Sequence, residues 1–241
     1  MTNPVQPRPI FIAALPREVA SLVKGDGWQS NQSQRKRGIH LYSNDHAVVS
    51  CAGMGAHRAS LAVEAALTLG PASELVSVGW AGACNHRFKV GDVIHPTIVI
   101  DAKTGERFFI QEPNTTDGSP EILVTVAKPS GIIEKERLEI SYYASAVDME
   151  AASVARIARA RDLPFHAIKA ISDEATFEIP YLSDFTAPNG QFRQIAFSFH
   201  LAVRPSLWKP VAILAKGSKL AAHQLCAEIQ AHIDQHRSTR P

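Results

Sequence analysis

The chain alternates short apolar runs with stretches of helical periodicity. Ile10 to Leu15 is apolar throughout and predicts a buried strand; Pro16, directly after it, suits a first helical turn. Ala47 to Ala52 predicts a second buried strand. Gly53-Met54-Gly55 breaks it, and Ala59 to Leu69 then predicts a helix with Leu61, Ala65 and Leu69 on one face. Glu74 to Val78 predicts a strand ending in a glycine-rich turn, Gly79-Trp80-Ala81-Gly82-Ala83. Val93 to Ile100 is β-branched, but Pro96 inside it predicts a bend or a late start. Residues 111–121 read as a polar loop. Ile122 to Val126 predicts a strand and Ile133 to Tyr143 a short helix. Met149 to Arg161 is a clearer helix, with Arg159 and Arg161 placed to oppose its dipole. Asp162-Leu163-Pro164 stops it, and Phe165 to Ile171 predicts a strand leading into Ser172-Asp173-Glu174. Lys209 to Ala215 and Ala221 to Ile233 predict helix, broken at Gly217.

Strands that are continuous apolar runs, alternating with helices, predict an α/β fold whose mixed or parallel sheet is covered on both faces. In such folds ligands bind at the C-terminal ends of the strands. Residues 1–9, with proline at three of the last six positions, predict a loose arm, and 10–236 a single domain.

Composition narrows the class. The chain has 241 residues, 45% hydrophobic and 20% charged, enough to bury a sizeable core. A net charge of +2 is too near balance to make nucleic acid the main partner. The basic run Arg35-Lys36-Arg37 reads as a solvated loop. Three cysteines, Cys51, Cys84 and Cys226, are widely spaced and form no CxxC pair. They predict buried apolar residues in a reducing cytoplasm rather than disulfides or a zinc site. The polar, proline-rich start is unlike a signal peptide, and no apolar stretch approaches the ~20 residues that span a bilayer.

Four segments carry the candidate chemistry. They are Ala14-Leu15-Pro16-Arg17-Glu18-Val19; Val78-Gly79-Trp80-Ala81-Gly82-Ala83, followed by Val90-Gly91-Asp92-Val93; Ala146-Val147-Asp148-Met149-Glu150-Ala151-Ala152; and Ala170-Ile171-Ser172-Asp173. In this order, over about residues 10–175, they resemble the methylthioadenosine/S-adenosylhomocysteine nucleosidases and their relatives in the nucleoside phosphorylase and nucleosidase superfamily. The resemblance implies a single-domain three-layer α/β/α sandwich around a mixed sheet. It implies cleavage of the bond between a purine and its ribose, without a metal or other cofactor, in a homo-oligomer.

It also assigns roles. Cleavage leaves positive charge on the ribose and negative charge on the base, so an acid at the base creates a good leaving group. By resemblance that acid is Asp173, positioned by Ser172. Glu150 accepts hydrogen bonds from the ribose hydroxyls and favours a cationic sugar, and Met149 packs against the ribose. Glu18 orients and deprotonates the attacking water. Trp80, Ala81 and Gly82 bring backbone close to the ligand. Taken singly, these residues have plainer readings: Ser172-Asp173 as a helix cap, Met149 as core, Glu150 and Glu18 as exposed first-turn charges.

The sequence departs from the nucleosidase pattern in four places. Lys169 stands where arginine is usual, keeping charge but losing the planar fork. Trp80 replaces a small hydroxyl residue. Ser77 stands where bacterial phosphorylases place a phosphate-binding arginine. The purine-binding Gly-Asp-X-Phe segment is replaced by Val126-Ala127-Lys128-Pro129. Loss of the phosphate anchors favours water over phosphate as nucleophile. Gly-Trp-Ala-Gly, Val-Asp-Met-Glu and Asp101-Ala-Lys-Thr-Gly-Glu106 together resemble the hopanoid-associated phosphorylase branch, which implies adenosylhopane as substrate and contact with a membrane surface. Phe197, Phe199, Leu201, Leu207 and Trp208 are candidates to cover such a lipid, or to pack on the core. The alternatives are a methylthioadenosine/S-adenosylhomocysteine nucleosidase, a purine nucleoside phosphorylase and an inactive nucleoside-binding relative.

Overall fold

A computed structural model describes residues 6–110, 120–177 and 208–238. It shows one mixed α/β domain built on a large sheet. In chain order the strands are β1 (Arg8–Ala13), β2 (Gln29–Asn31), β3 (His40–Ser43), β4 (Val48–Cys51), β5 (Ala72–Ala83), β6 (Val93–Ile94), β7 (Ile98–Asp101), β8 (Arg107–Phe109), β9 (Ile122–Thr125), β10 (Ala146–Asp148) and β11 (Phe165–Asp173). The helices are α1 (Ala20–Val23), α2 (Ala56–Leu67), α3 (Ile132–Tyr142), α4 (Ala151–Ala160) and α5 (Trp208–Ser238). Strand order is β2-β3-β4-β1-β5-β10-β9-β7-β8, with β11 joining β5 and β6.

β5 is the hub. β1 and β11 both pair with it in parallel, whereas β10 meets its C-terminal tip antiparallel, at Gly82 and Ala83. Side chains alternate across the pleat and fill two layers. Phe11, Val76, Val78 and Ile168 pack with Leu225 and Ile229 of α5. Ile10, Ile12 and Leu75 pack with Ala62 and Val63 of α2 and Val154 and Ala158 of α4. Each such fully buried large side chain stabilises the fold by about 1.5–3 kcal/mol.

Several boundaries differ from those the sequence predicts, each for a physical reason. β1 begins at Arg8, inside the expected arm, because the Arg8 guanidinium donates to the carbonyls of Asn44 and Leu69 and pins the strand. The glycine-rich segment after Val78 is strand rather than turn, since β11 runs alongside it as far as Gly82. Val93–Ile100 divides into β6 and β7 around Pro96. β10, three residues long, is too short to show in the pattern.

Gly217 does not break the last helix. The stripe Gly217, Ala221, Leu225, Ile229 and Ile233, every fourth residue, is buried. A Cβ on Gly217 would stand 2.8 Å from the Ser172 carbonyl oxygen and 3.0 Å from Val90 Cγ1. The glycine therefore costs α5 about 1 kcal/mol in propensity and lets it lie against the end of β11. Residues 111–119, most of the expected polar loop, and Phe197, Phe199, Leu201 and Leu207 lie outside the described residues. Among the described residues no helix is long and apolar enough to cross a membrane.

Candidate active site

The C-terminal halves of β5 and β11 carry the site. Glu18 lies in the short 3₁₀ turn that follows β1, with Pro16 opening that turn. Its carboxylate accepts hydrogen bonds from the backbone N–H groups of Leu15, at 2.8 Å, and Trp80, at 3.3 Å. The absence of a side chain on Gly79 makes room for it: a Cβ there would stand 3.3 Å from Glu18 Oε1. Glu18 is 3% exposed, so it is not the solvated charge of the plainer reading. Burial raises its pKa, against the lowering effect of the Leu15 N–H and of Lys169.

Glu150 arrives from the other side. Because β10 runs antiparallel to β5, its C-terminal end turns back along that strand and delivers Glu150 toward Glu18. Glu150 Oε1 accepts from the Gly55 N–H at 2.6 Å, and Oε2 from the Met149 N–H at 3.3 Å. It is buried, and its pKa is pushed up to about 7, first by desolvation and then by the negative charge of Asp148. Lys169 and the Gly55 N–H act the other way, and Glu18 adds to the rise. Met149 is half-buried beside it.

Lys169 on β11 is fully enclosed. It pairs with Asp148 Oδ2 at 2.9 Å and donates to Ser77 Oγ at 3.0 Å. Asp148 also accepts from the Ala151 N–H and from Thr125 Oγ1, tying α4 to the sheet. Three acids, Glu18, Asp148 and Glu150, thus share one buried cation. Burial is the first reason that both glutamates hold their protons more tightly, and at Glu150 the charges of Asp148 and Glu18 add to it.

Asp173 stands further along, level with Gly82 in the register of β5. A bulge between Ile171 and Asp173 turns the strand there, a common means of re-aiming a side chain. Ser172 Oγ lies 2.6 Å from Asp173 Oδ1 and 3.4 Å from the Ala81 carbonyl oxygen. Ser172 and Asp173 belong to the end of β11 and not to a helix cap. From Gly79 to Gly82 is three residues, about 10 Å along an extended strand. Glu18 lies at one end of that span, within electrostatic reach of Glu150, and Asp173 at the other, with Trp80 and Ala81 between. Trp80 is half-buried under the Arg17 guanidinium, 4.8 Å from its ring centroid.

Two participants escaped the sequence reading. Lys135, on α3, ion-pairs with Asp173 Oδ2 at 2.5 Å. In the string Ile-Ile-Glu-Lys-Glu-Arg it looks like one charge on a solvated face. Yet Lys135 is 1% exposed while Ile133 is 83% exposed; α3 turns its cation inward and an isoleucine outward. The nearest signal was helical phase, since Lys135 shares a face with buried Leu138. Asp148 stood inside a recognised motif, but nothing local showed that it faces Lys169. The segment Asp101 to Glu106 serves the fold: both acids pair with Arg156 on α4, and Glu106 also pairs with Arg159. Among the described residues no cluster of His, Cys, Asp and Glu could hold a metal ion.

Known proteins share this frame. The 5′-methylthioadenosine nucleosidase of Arabidopsis thaliana superposes with a TM-score of 0.67 at 17% identity, covering 99% of this chain and 98% of that one. The 5′-methylthioadenosine/S-adenosylhomocysteine nucleosidase of Helicobacter pylori gives 0.64 at 16%, covering 95% and 100%. The futalosine hydrolase of Helicobacter pylori gives 0.63 at 16%, covering 93% and 98%. At these identities the likeness establishes the fold. No curated protein matches the sequence. The family profile described as the Phosphorylase superfamily matches residues 9–131 and 122–196, and the chain belongs to that superfamily.

Proposed function

We propose that the protein hydrolyses the N-glycosidic bond of a 5′-substituted purine nucleoside and releases the free base. The observation that carries this reading is the arrangement along β5: buried Glu18 against Gly79 and Trp80, buried Glu150 close enough to feel its charge, and an aspartate at Gly82. The span of about 10 Å matches a ribose at the first end and a base at the second. Asp173 protonates the departing base. Glu150 accepts the ribose hydroxyls and favours the cationic sugar. Glu18, with its raised pKa, takes the proton of the attacking water, a task suited to a base that titrates nearer neutrality. Retention of all three speaks against an inactive relative.

The ion pair of Lys169 favours water over phosphate. As the cation nearest the glutamates it was the residue best able to anchor an anion, but its charge is matched by Asp148 and one donor is taken by Ser77. A phosphate dianion beside Glu18 and Glu150 would meet net negative potential, whereas a water needs only a base and a few hydrogen bonds. The structural relatives whose names specify methylthioadenosine or futalosine make 5′-substituted purine nucleosides the natural substrate class. Adenosylhopane is the sharpest candidate, on the Gly-Trp-Ala-Gly and Val-Asp-Met-Glu segments. Such a substrate would bring the enzyme to a membrane surface as a homo-oligomer in the cytoplasm.

The test is chromatographic. Purified protein is incubated with a panel of adenine nucleosides differing in the 5′ group, with and without phosphate, and released base is quantified. Base release in phosphate-free buffer, with free ribose-type product, is expected. Strict phosphate dependence with a ribose-1-phosphate product would show phosphate to be the nucleophile, and no release from any nucleoside would sink the reading.

A further inference from the structure

Lys135 is a buried cation to which the family pattern gives no role. Its ammonium has three N–H donors and all are committed: to Asp173 Oδ2 at 2.5 Å, to the Glu174 carbonyl at 2.9 Å and to the Phe177 carbonyl at 3.2 Å. One group thus grips the side chain of the proposed acid and the backbone turn that follows it. The neighbouring strand is shaped for the pair. A Cβ on Gly82 would stand 2.9 Å from Asp173 Oδ2 and 3.0 Å from Lys135 Cε. A charge this enclosed costs several kcal/mol to desolvate, and the cost is recovered only when geometry and partners are complete. A leucine there would satisfy packing alone.

We infer that Lys135 is the positioning residue of the leaving-group acid: it aims Asp173 at the base and stabilises the carboxylate that remains when the proton has left. The inference rests on the role given to Asp173 above. In the step concerned, the bond from ribose C1′ to the purine nitrogen breaks and its electron pair stays with the purine. The purine takes the carboxyl proton of Asp173. Asp173 becomes a carboxylate, and the Lys135 ammonium, keeping all three protons, balances it. A developing negative charge meets a preorganised cation, so the gain is larger in the transition state than in the ground state.

The experiment measures kcat and KM for the wild type, Lys135→Met, Lys135→Gln and Lys135→Arg, with circular dichroism as a check of folding. Loss of the cation should lower kcat by about 10- to 100-fold at the wild-type optimum, with KM changed less than about threefold. Lys135→Gln keeps a donor for the turn carbonyls and removes the charge; it should show the same split between kcat and KM and serves if the Met variant does not fold. Lys135→Arg retains the charge and should lose less than about threefold in kcat. A neutral variant whose kcat stays within about threefold of the wild type, or an Arg variant that loses as much kcat as the neutral ones, overturns the role of Lys135. A wild type that releases no base from any nucleoside instead overturns the reaction and the role of Asp173 with it.

Discussion

The two ends of β5 each carry buried carboxylates, and they are tuned in opposite directions. Near the N-terminal end, Glu74 faces three histidines: His232 at 2.9 Å, His166 at 3.4 Å and His236 at 3.8 Å. Burial pushes its pKa up, but the hydrogen bond from His232 and the three nearby imidazoles outweigh burial and leave it lowered. Beyond the middle of the strand, the backbone N–H donors and the charges of Lys169 and, for Glu18, Arg17 do not offset burial, and both Glu18 and Glu150 are raised. Desolvation is common to the two ends; the number of side-chain partners per carboxylate differs. The first arrangement locks the C-terminal half of α5 to the sheet. The second keeps a charge in reserve, the usual mark of groups that exchange protons.

This contrast can be broken by substitution. The largest expected effect is on activity. Glu18→Gln should lower turnover by roughly 10²–10⁴-fold, the range for loss of a general base, while thermal stability at pH 8 stays equal or rises because a strained buried charge has gone. Near-normal turnover would remove Glu18 from the mechanism. Glu74→Gln should do the reverse. Turnover should stay within about threefold, while unfolding free energy falls by about 1.5–3 kcal/mol, the scale for a buried hydrogen bond to a charged group. Chemical denaturation measures it, and a stability loss confined to the active-site end would contradict the division.

The smallest and most discriminating effect is the pH dependence of stability. Glu150 has a folded pKa of about 7, above its unfolded value of about 4.3. Its contribution is complete below the unfolded value and is lost as pH rises through 7. Glu74 is lowered, so its contribution is present above the unfolded value and is lost as pH falls through the folded one. Glu150→Gln should therefore flatten the fall in Tm between about pH 5 and 8, and Glu74→Gln should flatten the acid limb. Equal slopes in wild type and Glu150→Gln over the neutral range would show that Glu150 titrates elsewhere.

The sequence by itself pointed to most of the longer elements and to three acids of the candidate site. Apolar runs such as Ile10 to Leu15 have no use except as buried strands. Glu18, Glu150 and Asp173 follow strand ends or breaks, where an α/β fold presents side chains to a ligand. Local composition records such facts because each depends on neighbours in the chain. The tertiary structure decided everything that depends on a partner remote in sequence. Lys135 and Asp173 are 38 residues apart, and Lys169 and Ser77 are 92 apart. Gly217 reads as a breaker until Ser172 is placed against it, and Gly79 reads as a turn until β11 pairs beside it. α3 shows the limit most plainly. Its string of alternating charges does not say which cation faces inward, because the energy of burying Lys135 lies in Asp173 and the carbonyls of Glu174 and Phe177, not in the helix that carries it.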